Sequence, residues 1–476
     1  TETVRMTSVD TTAQPTERVL GFSDALFGIA ITFLALDLGE VPESVADRQA
    51  SVTSFLAAHV SDYAVYVGTF VVVGFLWSRH HQMFRFIKGR SSLLVLLNLF
   101  LLALVAMLPY PAGIAGRGLG LGLALACLLV PLLVIAVLLA VLWELAVLQQ
   151  LVIPGLCAQT RSSFRASGLG VVGVLSLGLL LALLSSRIDS SALCYVAIVG
   201  TGVLLVVVPS IVRLRWPTPE QASYTPANSE ELDREEREEA VRVTTLLERI
   251  RNGSDTARLC VFTDGVFAIA VTVLALQLQP PARGVTLTNE VILENLNTVP
   301  WVTYLTTFAF IGIYWITHVH TFELVKGTDS VLTWLNLLFL LFVAVLPLPT
   351  ELVHVVGDSP SAWVFYFAML FFVCVFLAAM RIYSARTVKL TLERELPAEA
   401  RYSIARTVWA GGAFLAGIVL VTVFDNPGYG NVVLLLIIVR GPVLRRFFPG
   451  AQHKMWAKRS DSDGDGADSA SAGTAR

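Results

Sequence analysis

The sequence predicts an all-α integral membrane protein, with 12 transmembrane helices arranged as two parallel six-helix repeats. Three observations carry this. Of the 476 residues, 55% are hydrophobic and only 15% charged, with a mean hydropathy of +0.70, whereas a soluble globule carries about 25% charged residues. The apolar residues are clumped into long runs, and roughly 20 in a row cross the hydrocarbon core. The runs also repeat: 18–38 reads RVLGFSDALFGIAITFLALDL and 258–278 reads RLCVFTDGVFAIAVTVLALQL. The two align without a gap and share Arg, Phe, Asp, Phe, Ile, Ala, Thr, Leu, Ala, Leu and Leu in register.

In chain order, the predicted spans of the first repeat cover about 19–38, 58–84, 92–113, 119–147, 166–186 and 191–212. Those of the second cover about 259–279, 298–322, 330–350, 360–380, 403–424 and 430–447. The last is the weakest, being interrupted by Arg440, Gly441 and Pro442. The repeat continues beyond the first helix. Trp77, His80, Phe84, Lys88, Gly89, Asn98, Pro109 and Pro111 correspond to Trp315, His318, Phe322, Lys326, Gly327, Asn336, Pro347 and Pro349 at a constant offset of 238. Six spans per repeat is an even number, so both halves enter the membrane from the same side, about an axis along the membrane normal. Such an axis suits a central pore, and it also suits a parallel-repeat transporter.

Loop charges set the orientation. Asp37, Glu40, Glu43 and Asp47 follow the first run, whereas Arg85, Lys88 and Arg90 follow the second. Arg117 alone lies in the next loop, Arg161 and Arg165 follow the fourth run, and Arg381, Arg386, Lys389 and Arg394 repeat that pattern. By the positive-inside bias both termini are expected in the cytoplasm. The organisation reads as an N-terminal arm (1–17), a first repeat (18–215), a charged linker (216–257), a second repeat (258–447) and a low-complexity tail (448–476). The Glu/Arg-rich core of the linker, 229–251, reads as a solvated helix serving as a spacer. The polar N-terminal stretch has no signal-peptide core, so the first run is expected to be a retained helix.

Several function classes find no support. A net charge of −2 gives no reason to invoke nucleic acid. Cys127, Cys157, Cys194, Cys260 and Cys374 are far apart with no CxxC pair, which argues against a disulfide scaffold or zinc site. His80-His81 and His318-x-His320 lack the i+4 spacing that puts two ligands on one helix face. No cofactor or metal is expected, and no catalytic motif points to an enzyme.

The intramembrane polar residues remain. Asp24 and Asp264 lie one to two turns inside the first helix of each repeat, where charge is costly and therefore paired or functional. One reading is a hydrogen-bonded knot of Arg18, Ser23, Asp24, Trp77, His80 and Asn98, with Arg258, Thr263, Asp264, Trp315, His318 and Asn336 as its twin. The other is a proton relay or ion site, although one Asp and one His per repeat are few for a relay across the bilayer. Gly428-Tyr429-Gly430 looks like part of a potassium-filter signature. It follows Asp425-Asn426-Pro427 and occurs in one repeat only, which predicts a tight turn.

RVLGFSD and RLCVFTD fit the RxxxFSD pattern that opens the first helix of the transmembrane protein 175 family of endosomal and lysosomal potassium channels, with Thr263 in place of Ser in the second copy. The Trp-x-x-His and Asn…Leu-Pro pieces resemble that family as well, in both repeats. The resemblance implies a tandem-repeat channel working as a homodimer in a lipid bilayer. It implies a pore lined by the first helix of each repeat, with Ile29 and Ile269 at the constriction. The implied activity is potassium permeation without a voltage sensor; a proton- or sodium-permeable channel and a parallel-repeat transporter are the alternatives. The membrane would be the cell membrane in a prokaryote and the endosomal or lysosomal membrane in a eukaryote. Helical geometry fits the transfer: Ile29, Thr32 and Leu36, like Ile269, Thr272 and Leu276, recur at i, i+3 and i+7. Asp24 lies about 140° away from Ile29 around the helix at ~100° per residue. Ordinary helix packing would produce the same stripe.

Overall fold

A computed structural model describes residues 15–38, 45, 51–87, 91–118, 120–152, 158–188, 190–215, 256–276, 278, 301–325, 327–387 and 397–447. These residues are helical almost throughout, with no strand beyond an isolated antiparallel bridge between Ile87 and Val152. In the first repeat the helices are α1 (Pro15–Phe33), α2 (Val52–Ala58), α3 (Val60–Phe84), α4 (Ser92–Met107), α5 (Pro109–Arg117), α6 (Gly122–Leu148), α7 (Ala158–Ile188) and α8 (Ser191–Arg215). The second repeat has α9 (Thr256–Leu276), α10 (Trp301–Phe322), α11 (Ser330–Val345), α12 (Pro347–Val355), α13 (Pro360–Arg386), α14 (Pro397–Phe424) and α15 (Asn431–Phe447). Among the described residues, nine helical stretches are long and apolar enough to cross a membrane. This is a multi-pass membrane protein. The linker core 229–251, Lys88, Gly89, Lys326 and the tail beyond 447 lie outside the described residues.

The third span of each repeat is two helices, and proline chemistry explains why. Pro109 and Pro347 have no N–H to donate, and each ring displaces the carbonyl four residues back. At the junctions Leu108 and Leu346 stay α-helical but bond three residues back, N to O at 3.2 Å to Val105 and to Val343. The same spans start alike. Ser91 caps α4 by accepting from the Leu94 N–H, and Asp329, at the repeat-equivalent position, caps α11 by accepting from Leu332 at 2.8 Å. The last span, expected to be weakest, is one helix through Gly441 and Pro442. Residues Pro427–Gly430 form a 3₁₀ turn between α14 and α15, where Asn426 Oδ1 accepts from the Gly428 N–H at 2.8 Å. That segment is a turn with a local hydrogen-bonding reason.

The chain divides into two compact units: Thr1–Leu38 with Ser61–Gly265, and Gly39–Val60 with Val266–Arg476. They follow the two repeats, with two departures. The segment holding α2 belongs to the second unit, where α2 meets α13; the first turns of α9 belong to the first. In the first unit α1 packs on α4, while α6 packs on α4, α5 and α7, and α7 on α8. In the second, α13 packs on α11, α12 and α14, and α14 on α15. Contact between α6 and α7 is close enough to need glycine. A Cβ on Gly122 would sit 2.1 Å from the Ala182 carbonyl oxygen, and small residues let membrane helices approach this way.

Candidate functional site

The first unit gathers its polar residues around the N-terminal half of α1. Asp24 is fully buried and accepts three hydrogen bonds from two partners. The Trp77 indole N–H donates to Oδ1 at 3.0 Å. Arg258 donates from Nε to Oδ2 at 2.7 Å and from Nη2 to Oδ1 at 2.8 Å, a bidentate charge-assisted pair. Its Nη1 also donates to the His81 carbonyl at 3.3 Å. Beside this lies a second chain of bonds. Asn98 donates to the Ser23 hydroxyl at 3.0 Å, Ser23 donates to the Val19 carbonyl at 2.8 Å, and His80 Nε2 lies 2.9 Å from Asn98 Oδ1. With a carbonyl oxygen opposite, that histidine nitrogen is the donor. Phe262 stacks on the Trp77 indole at 4.2 Å, and Phe84 covers the His80 ring at 4.4 Å. The network therefore ties α1, α3, α4 and the start of α9 into the first unit.

Arg258 as the counter-ion of Asp24 was not anticipated, since the partners expected were on the next two helices. The signal was present: each repeat carries Arg six residues before its Asp. Arg18 lies in α1, but its side chain is outside the described residues.

The second repeat places its equivalent residues in different surroundings. His318 Nε2 and Asn336 Oδ1 pair at 2.9 Å, with Phe322 stacked on the histidine at 4.3 Å. Thr263 is buried and donates to the Leu259 carbonyl at 2.9 Å. Asp264 and Trp315, by contrast, are exposed in this chain. Equal sequence does not impose equal surroundings, because those depend on which neighbours the rest of the chain supplies.

The first helices also differ in the face they leave open. On α1 the exposed apolar side chains are Phe22, Ile29, Phe33 and, just beyond the helix, Leu36. Thr32 was expected on that stripe and is not there. It is 1% exposed, with its hydroxyl donating to the Gly28 carbonyl at 2.5 Å, and Phe33 takes its place four residues after Ile29. On α9 the open face runs through Val261, Asp264, Ala268, Thr272 and Leu276, while Ile269 is half-buried. Thr272 donates to the Ile269 carbonyl at 2.9 Å. Equivalent positions thus sit about one residue, roughly 100°, apart around the two helices. Among the described residues no three His, Cys, Asp or Glu side chains gather to hold a metal ion.

The family model described as "Endosomal/lysosomal potassium channel TMEM175" matches residues 18–109 and again 258–347. Both matches begin at the Arg of the repeated motif and end at the paired proline junction. Both repeats of the chain match the TMEM175 family. Among curated relatives, a potassium channel of Streptomyces collinus is 43% identical over 94 residues, 20% of this chain and 44% of that protein. The human endosomal/lysosomal proton channel TMEM175 is 26% identical over 365 residues, 73% of this chain and 67% of the relative. The chain thus spans less than half of the Streptomyces relative's length. Among solved structures, the crystal structure of a lysosomal potassium-selective channel TMEM175 homolog from Chamaesiphon minutus matches 40% of this chain and 98% of that one. There the identity is 25% and the TM-score 0.34.

Proposed function

We propose that this TMEM175-family chain is a potassium-permeable cation channel, with its pore lined by α1 and α9 and its constriction at Ile29 and Ile269. One observation carries the reading: α1 turns its charge inward and its isoleucine outward. Asp24 is consumed by Arg258 and Trp77 within the first unit, while Ile29 stands exposed on the apolar helix α1. An apolar ring built from such residues closes by dewetting and admits cations that shed water at lower cost. Leu36, Thr272 and Leu276, exposed in this chain, extend the lining.

The assembly we propose is a homodimer of four repeats, with both termini in the cytoplasm. Asp24 of the first repeat takes its arginine from the second. Carried round a ring, the same rule pairs Asp264 with Arg18 of a second copy. Two chains close such a head-to-tail ring.

The experiment is ion flux from vesicles holding the purified chain under an imposed K+ gradient. Passive, non-saturating K+ flux is expected; coupled, saturable uptake would instead identify a parallel-repeat transporter. The human relative is named a proton channel, so the same vesicles should carry a pH dye. Proton flux at zero K+ gradient that exceeds K+ flux would favour the proton reading.

A further inference from the structure

The second unit brings two cations together within its helices. Arg406 of α14 and Arg440 of α15, with Thr317 of α10 and Cys374 of α13, line a notch of about 20 Å³. Local geometry puts the two arginines at one level. Helices α14 and α15 are antiparallel neighbours joined through the 427–430 turn, and the Trp409 indole N–H donates to the Leu436 carbonyl at 2.8 Å. Arg406 lies three residues before Trp409 and Arg440 four after Leu436, each on the same helix face as that neighbour. Both therefore stand one turn from the bond, toward the same end of the helix pair. Further along, a Cβ on Gly417 would lie 2.4 Å from Val433 Cγ2, so close contact holds the two helices together.

Two like charges held side by side repel, and the surrounding protein does not neutralise them. Helices α10, α13 and α15 contain no Asp or Glu, and α14 has only Glu399, about two turns before Arg406. The groups within electrostatic reach of Arg440 are the Arg406 guanidinium, the Tyr402 phenol and the Cys374 thiol, none of them an anion. Among the described residues no hydrogen-bond acceptor meets either guanidinium. The first unit answers an arginine differently: Arg165 of α7 takes Glu144 of α6, Nε to Oε1 at 2.7 Å. A charge at membrane depth is costly until a counter-ion pairs with it. A notch of this size admits one water-sized atom, and the guanidinium fork matches the oxygens of a phosphate. Arg406 lies five residues inside the span Arg401–Phe424, and Arg440 seven before the end of α15. At 1.5 Å per residue these are depths of about 8 and 11 Å, from which an arginine side chain reaches the headgroup layer.

We propose that Arg406 and Arg440 form an anion site that takes one oxygen of a phosphate group, at the membrane end where α14 begins and α15 ends. None of the helices that wall it lines the proposed pore. The test reads thermal midpoints of the full chain in phosphate-free maltoside micelles with gluconate as background salt. Four additions are compared: dioleoyl phosphatidylglycerol, dioleoylglycerol with the same tails and no phosphate, inorganic phosphate, and chloride. A ligand that binds only the folded chain raises the midpoint. Phosphatidylglycerol should raise it and dioleoylglycerol should not. A rise with inorganic phosphate as well assigns the site to free phosphate, and a rise with the lipid alone assigns it to a headgroup. Arg406→Gln and Arg440→Gln should each weaken the apparent affinity about tenfold, the equivalent of ~1.4 kcal/mol. Without ligand, the double Gln variant loses the mutual repulsion and should melt no lower than the parent chain. Native mass spectrometry of the single variants reads retained phosphatidylglycerol directly, whatever their midpoints, and both should retain less than the parent. An equal rise with dioleoylglycerol would mean that the tails alone bind, and one with chloride would make this a halide site. Retention of phosphatidylglycerol undiminished in both single variants would equally overturn the proposal.

Discussion

Asp24 and Ile29 are five residues apart and do opposite things, and each can be tested alone. Replacing Asp24 with Ala leaves Arg258 buried without its carboxylate, a loss of about 3–5 kcal/mol for one half of a buried pair. We expect that variant to unfold at lower temperature, with the reversed pair Asp24→Arg/Arg258→Asp recovering part of the loss. Asp264→Ala, at an exposed position, should leave the thermal midpoint of the separated chain nearly unchanged. A midpoint that falls as far as for Asp24→Ala would remove the asymmetry described above. For the isoleucines, Ile29→Asn with Ile269→Asn should raise basal conductance and lower preference for K+ over Na+, because amide groups wet the narrowest segment. Ile31→Val, at a fully buried neighbour, should leave selectivity alone. Patch recordings with unchanged conductance and selectivity in the double Asn variant would place the pore elsewhere. The chemistry of these residues was legible in the sequence, but their environments were not. Both motifs read Arg-x-x-x-Phe-Ser/Thr-Asp, yet one Asp is enclosed and the other open, since burial depends on neighbours hundreds of positions away. Thr32 illustrates the same limit: an i, i+3 stripe and an i, i+4 stripe differ by about 100°, and both contain Ile29.

At the scale of helices, apolar runs and prolines are local signals, and they translated well. Run 92–113 became α4 and α5 because Pro109 ends one hydrogen-bond ladder, a rule that needs no tertiary knowledge. The depth of helix–helix approach is not local. Gly122 looks like any glycine in a Gly- and Leu-rich stretch, and only the position of Ala182 reveals why a side chain is excluded. Gly122→Ala should therefore push α6 from α7 and lower the thermal midpoint markedly. Gly173→Ala, in open space within α7, should be neutral or stabilise by about 0.5–1 kcal/mol through helix propensity. Differential scanning of the two variants side by side settles the matter: equal shifts would show that the close approach carries no energetic weight.

For the whole molecule, the proposed pore has two helices per chain, too few to enclose a hydrated path, so mass measurement in nanodiscs should give a dimer. Monomers alone under conducting conditions would rule it out. The salt bridge between Asp24 and Arg258 bears on how such a ring comes together. A ring of separate one-repeat chains would have to find every arginine–aspartate partner by collision, so its yield would depend on protein density in the membrane. Here one such contact is intramolecular, formed at an effective concentration set by the linker and not by expression level. Dilution into excess lipid can then separate chains from each other but cannot separate these two residues, so in the proposed dimer half-rings, already folded, would be the units that assemble.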